Sequence, residues 1–196
     1  MAVMTWMGVP GAPERWEACG FDVSDGRFVL DGVVFELDRP VAWGFDEVGD
    51  GAERLGVATE AKDPEPNART EHPNLIDGID HVVYAVPDLD DAVAAVESVL
   101  GLEIKRRFQP RGPQGPEMAF YRAGPTVIEV VAGPREPGLW GIAFRCPDLD
   151  ATVAAIRAAG GPVGDPKPAV QGGRIASVWK EHVGWGLAIM ELPPRT

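Results

Sequence analysis

PDLDDAVAAV (87–96) and PDLDATVAAI (147–156) start sixty positions apart and agree at seven of ten places. The match extends backwards, so that IDHVVYAVPDLD (79–90) falls on LWGIAFRCPDLD (139–150). Each copy opens with about six apolar or β-prone residues, which reads as a buried strand. Pro then ends the strand, and Asp88 or Asp148 is placed to cap a helix by accepting backbone N–H groups. The first helix is expected over 88–100, with Leu89, Ala92, Val93, Val96, Val99 and Leu100 on one face and Gly101 as terminator. The second is expected over 148–159, with Leu149, Val153 and Ile156 inward and Gly160 and Gly161 at its end.

Strand-like segments follow each helix. LEIKRRF (102–108), MAFYRAG (118–124) and TVIEVVAG (126–133) follow the first, with a Gly/Pro-rich loop after LEIKRRF. RIASVWKE (174–181) and GLAIMEL (186–192) follow the second. A single unit has too small a sheet to bury both faces, so two units should pack as a pair. The expected class is α+β, with modules over 78–133 and 138–193. Residues 1–45 read as a degenerate third module of βαββ form: VMTWMGVP and APERWEACG as strand and helix, FDVSDGRFVL and GVVFELD as two strands. Such a copy would have no intramolecular partner, and would pack on a sheet edge or on another subunit. The alternative is an unrelated extension. Residues 46–77 are polar and turn-rich, and read as a linker.

Composition limits the function classes. The formal net charge of −12 repels phosphate, which argues against a nucleic-acid partner. No apolar run approaches the roughly 18 residues of a membrane span, and the N-terminus lacks a secretory pattern. Two cysteines outside any metal-type spacing suit free thiols in a reducing cytoplasm. No Ser-His-Asp signature, G-x-G-x-x-G or phosphate loop is present.

DHVVYAVPDLDDAVAAVESVLGLEI, the repeat of its start, the "LGL" after the helix and the closing "IMELP" together resemble the vicinal oxygen chelate superfamily. That group includes glyoxalase I, bleomycin-resistance proteins, methylmalonyl-CoA epimerase and extradiol dioxygenases. The resemblance covers about 78–193 and implies paired βαβββ modules curved around a shared cleft. A homodimer with a small-molecule ligand is expected. In metal-dependent members the cleft holds one divalent ion, bound by residues of the first and last strands of each module. By position the resemblance assigns His81, Glu129 and Glu191 as ligands, and puts Gly141, which has no side chain to offer, at the fourth place. One imidazole and two carboxylates suit Mn²⁺, Fe²⁺, Ni²⁺ or Zn²⁺, and Gly141 would leave a coordination position open. Such an ion stabilises an enolate-like oxyanion, and Glu129 or Glu191 would be the proton-transfer base.

Each of these residues also has a structural reading. His81 follows Asp80 and could be a hydrogen-bonded strand histidine. Glu129 and Glu191 could face solvent across a one-sided sheet. Glu36 matches the last-strand pattern in the N-terminal copy, where Met4 holds the first-strand place. His182 lies near a turn, at the cleft mouth or in solvent, and His72 is given no role. Trp140, Trp179 and Trp185 flank the second module as core or pocket lining. Arg107, Arg122 and Arg145 are candidates for a substrate carboxylate or for surface solvation. Two functions follow: a metal-dependent lyase, isomerase or dioxygenase acting on a small oxygenated metabolite, or a metal-free protein sequestering a cationic or aromatic compound.

Overall fold

The computed structural model describes residues 1–65, 71–110, 112–133, 136–170 and 172–193. The first module runs β6 (Gly78–Val86), α2 (Leu89–Leu100), β7 (Arg106–Phe108), β8 (Met118–Ala123) and β9 (Thr126–Ala132). The second runs β10 (Gly138–Arg145), α3 (Leu149–Ala159), β11 (Lys167–Pro168), β12 (Arg174–Val178), α4 (Lys180–Val183) and β13 (Gly186–Glu191). Both helices begin as the repeat predicts. The Asp88 carboxylate accepts the Asp91 N–H at 3.0 Å, and Asp148 accepts that of Ala151 at 3.0 Å. Both end on a left-handed glycine, Gly101 at φ 60° and Gly160 at φ 99°.

In each module the last strand lies parallel to the first, β9 beside β6 and β13 beside β10. The two first strands pair antiparallel. One eight-stranded sheet results, in the order β11-β12-β13-β10-β6-β9-β8-β7. Its two faces differ. Ile142, Phe144, Tyr84, Ile128 and Ile189 point to the side of α2 and α3 and join one continuous core. The alternate residues, among them Val83, Val127 and Met190, line a cleft on the other side.

The N-terminal residues form a second sheet. Its elements are β1 (Met4–Gly8), α1 (Pro13–Ala18), β2 (Arg27–Leu30), β3 (Val33–Glu36), β4 (Ala42–Phe45), the 3₁₀ turn η1 (Ala52–Leu55) and β5 (Thr59–Ala61). Here β3 lies parallel to β1 and antiparallel to β2, which repeats the module's plan with one strand fewer. β4 then pairs antiparallel with β1 as β10 does with β6, and β5 lies parallel to β4 as β13 does to β10. The N-terminal unit therefore has its counterpart within the chain, which differs from the sequence expectation.

Nor does this unit add to a sheet edge. It lies face to face on the helix side of the large sheet, where Phe144 meets Phe21 and Phe35 at ring separations of 5.2 and 5.7 Å. Trp43 meets Tyr84 at 5.2 Å, and the Tyr84 hydroxyl donates to the Leu55 carbonyl. The stretch expected as a linker holds η1 and β5 and also buried anchors. Asn74 donates to the Cys19 carbonyl at 3.0 Å. The His72 ring accepts from the Asp22 N–H at 3.1 Å and donates to the Val29 carbonyl at 3.1 Å. Cys19 and Cys146 are both free and buried.

Candidate functional site

The cleft has a volume of about 720 Å³, within the usual range for small-molecule sites. His81 and Glu129 meet on its floor. Val127 is the strand partner of His81 and Val83 that of Glu129, so both side chains project from the same face of adjacent strands. The His81 Nε2 and a Glu129 Oε stand 4.0 Å apart, with side chains 19% and 12% exposed.

Asp80 completes the arrangement, and the sequence reading missed it. The β6–β10 register pairs Ala143 with His81 and then Phe144 with Ile79. Asp80 therefore has no residue opposite it. A bulge of this kind turns two consecutive side chains toward one face, and both Asp80 and His81 line the cleft. The His81 Nδ1–H donates to Asp80 at 2.7 Å. Burial disfavours the imidazolium, but the hydrogen bond to Asp80 and the charges of Glu129 and Asp80 outweigh it, so His81 titrates above the ordinary histidine value.

Glu191 does not join them. In the first module Glu129 lies two places beyond the His81–Val127 pair. Two places beyond the corresponding Gly141–Gly186 pair is Ala188, beside Ala143. Glu191 is three residues further on, an odd step that turns its side chain to the helix face. There its carboxylate accepts from Arg174 at 2.7 and 2.6 Å, and Arg174 also reaches Asp150 on α3 at 2.8 Å. The likeness of IMEL to VIEV conceals this shift in register.

Gly141 does not open a vacant ligand position either. A Cβ there would meet the Gly186 carbonyl oxygen at 2.6 Å, and a Cβ on Gly186 would meet that of Trp140 at 2.5 Å. Backbone occupies the space. Among the described residues no group of three or more His, Cys, Asp or Glu is placed to hold a metal ion. His81 and Glu129 would give a divalent ion two protein ligands, short of the three that hold a catalytic zinc. These two donors alone would leave most of an ion's coordination shell to water and ligand oxygens.

The remaining candidates separate clearly. His182 accepts no cleft role: its ring bonds the Arg15 carbonyl at 2.8 Å while Arg15 donates to the His182 carbonyl at 2.6 Å, tying α4 to α1. Glu36 pairs with Arg39 at 3.3 Å. Arg107 is held by Asp90 and Glu117, and Arg145 by Asp77. Arg122 is exposed. Trp185 is buried and donates to the Leu139 carbonyl at 2.8 Å. Trp179 is exposed outside the cleft, whereas Trp140 lines it. Lys167 stands at the cleft and Lys180 at its extension over Gly141 and Gly186. Neither lysine carries a motif by which the sequence could mark it.

Among solved structures, methylmalonyl-CoA epimerase from Mycobacterium tuberculosis matches with a TM-score of 0.53 at 25% identity, over 61% of this chain and 91% of that one. A selenomethionine form of methylmalonyl-CoA epimerase matches with a TM-score of 0.51 at 25% identity, over 61% of this chain and 97% of that one. A hypothetical protein from Bacillus halodurans C-125 shares the fold, with a TM-score of 0.52 at 20% identity over 60% of this chain and 96% of that one. No curated protein matches. The glyoxalase/bleomycin resistance protein/dioxygenase superfamily matches residues 80–177, half of the chain. That span runs from the Asp80 bulge through the doubled Pro-Asp corner into β12, and with these βαβββ modules the chain belongs to that superfamily.

Proposed function

We propose that the protein binds a small carbonyl-bearing metabolite in the cleft and moves a proton on it, as an isomerase or lyase does. The observation that carries this reading is the Asp80–His81–Glu129 array on the cleft floor, with 2.7 Å between the first pair and 4.0 Å between the second. Glu129 takes the proton from the carbon beside the carbonyl. The C–H electron pair becomes the C=C bond of an enolate, and the carbonyl π pair moves to oxygen. His81, protonated and held by Asp80, donates its Nε2–H to that oxygen. A proton delivered from solvent to the opposite face of the planar enolate gives the isomer, and Glu129 releases the proton it took to solvent. The two related structures named as methylmalonyl-CoA epimerase support a proton-moving reaction, since inverting a carbon centre requires removal and return of a proton.

His81 and Glu129 are also the two side chains that would ligate a divalent metal, with water and ligand oxygens filling its shell. An oxygenase step calls for a redox ion held more firmly than two donors provide. Metal-free sequestration is the second reading, favoured by the apolar wall of Met118, Phe120, Ile175 and Met190. Among the described residues no helix is long and apolar enough to cross a membrane. We further propose a homodimer, and a cytoplasmic location on the ground that both cysteines are free.

The test is deuterium exchange at the carbon beside the carbonyl of acetophenone and of pyruvate in D₂O, followed by NMR. Exchange accelerated by the wild type should fall about 10²–10⁴-fold in Glu129→Gln. Binding of either compound without any accelerated exchange would favour sequestration and sink the proton-transfer reading.

A further inference from the structure

The cleft is asymmetric about the axis that relates the modules. Its polar array lies in the first module. In the second module the places of His81 and Glu129 hold Gly141 and Ala188, which with Ala143 and Gly186 line the cleft's extension. The crowded backbones of β10 and β13 exclude side chains at both glycines, so a bare peptide surface runs beside His81. Trp140 stands next to it for a definable reason. The β10–β6 register pairs Leu139 with Tyr84 and then Gly141 with Val83. Trp140 is the unmatched residue of a second bulge, and its indole lines both the cleft and the extension. It remains 53% exposed, although Trp16, Trp43 and Trp185 are buried. A large ring held out of the core on the wall of a cavity offers its face to a ligand.

Resting on the reading above, we infer that Trp140 is the specificity-determining residue of the cleft. It holds the flat, conjugated part of a carbonyl compound whose acidic carbon lies at His81 and Glu129. Because no side chain rises from Gly141 or Gly186, the peptide surface beside the indole is uncovered and a flat group can lie against it, and Phe120 and Met118 bound the cleft from the first module.

The probes are acetophenone and cyclohexyl methyl ketone, which share a methyl ketone head and differ in having a flat or a puckered ring. Binding is read from the NMR shifts of the His81 imidazole and the Trp140 indole. Acetophenone should bind the wild type about fivefold more tightly, the size expected of an aromatic contact beyond its buried area. The difference should vanish in Trp140→Ala, and persist in Trp140→Phe and in Trp179→Ala. Equal binding of the two ketones, a difference that survives Trp140→Ala, or no acetophenone-dependent shift at either resonance overturns the inference. The two readings fail separately. Deuterium exchange that survives Trp140→Ala unchanged, with equal binding of both ketones, leaves proton transfer standing and removes the role of Trp140. A Trp140-dependent difference in binding without exchange does the reverse.

Discussion

Gly141 shows how one residue can be read correctly by position and wrongly by consequence. Counting back from the Pro-Asp corner reaches His81 in one module and Gly141 in the other, and these are symmetry counterparts in the sheet. The sequence could not show that β13 approaches so closely there that even a methyl group collides with the Gly186 carbonyl. Gly141→Ala should therefore destabilise the fold by about 1–3 kcal/mol, the range for overpacking, as a lowered urea midpoint at constant slope. Building a histidine at this place should fail to create a metal site for the same reason. An unchanged midpoint in Gly141→Ala would show that the two strands can separate and that the position is open. His81 and Glu129 were legible because first-strand and last-strand places follow the repeat. Asp80 and Trp140 were not, because a bulge is a property of pairing between strands and leaves no mark in a single strand's pattern.

At the scale of elements, the helices and most strands of the large sheet were legible from period, caps and terminators. β4, η1 and β5 were not, since each is only three or four residues long and too short to show a period. The strap that follows shows what such a stretch can carry. His72 is 5% exposed, bonds Asp22 and Val29 through its two ring nitrogens, and lies edge-on to Phe21 and Phe28. Burial lowers its pKa below the ordinary 6.5, against smaller opposing effects of the Val29 hydrogen bond and the Asp22 charge. Above about pH 6.5 both folded and unfolded chains hold this histidine neutral. Below it the unfolded chain takes up the proton first, so stability falls until pH passes the folded value. His81 contributes in the opposite direction: its raised pKa gives stability that is present below about pH 6.5 and lost as pH rises through the folded value. Urea midpoints at pH 7.5 and 5.5 should therefore show a larger acid loss in the wild type than in His72→Gln. Equal losses would mean that His72 is protonated in the fold.

For the whole molecule, the question is whether the N-terminal sheet is a separate unit or part of the site's support. The aromatic contacts decide for support. Phe144 lies between Phe21 and Phe35 of the N-terminal unit and projects from the strand that also carries Gly141 and Trp140. Trp43 packs on Tyr84, from the strand that carries Asp80 and His81. Residues of both sheets form one continuous core, so the cleft's two central strands are backed by the N-terminal unit rather than by solvent. Removing the Phe144 ring should cost about 3–5 kcal/mol. Because the core is shared, that loss should reach both sheets equally. Native-state hydrogen exchange measures this directly: in Phe144→Ala the most protected amides of β3 and of β9 should lose the same free energy of opening. If β3 weakens while β9 keeps its protection, the N-terminal sheet is an independently folding cap and the cleft stands without it.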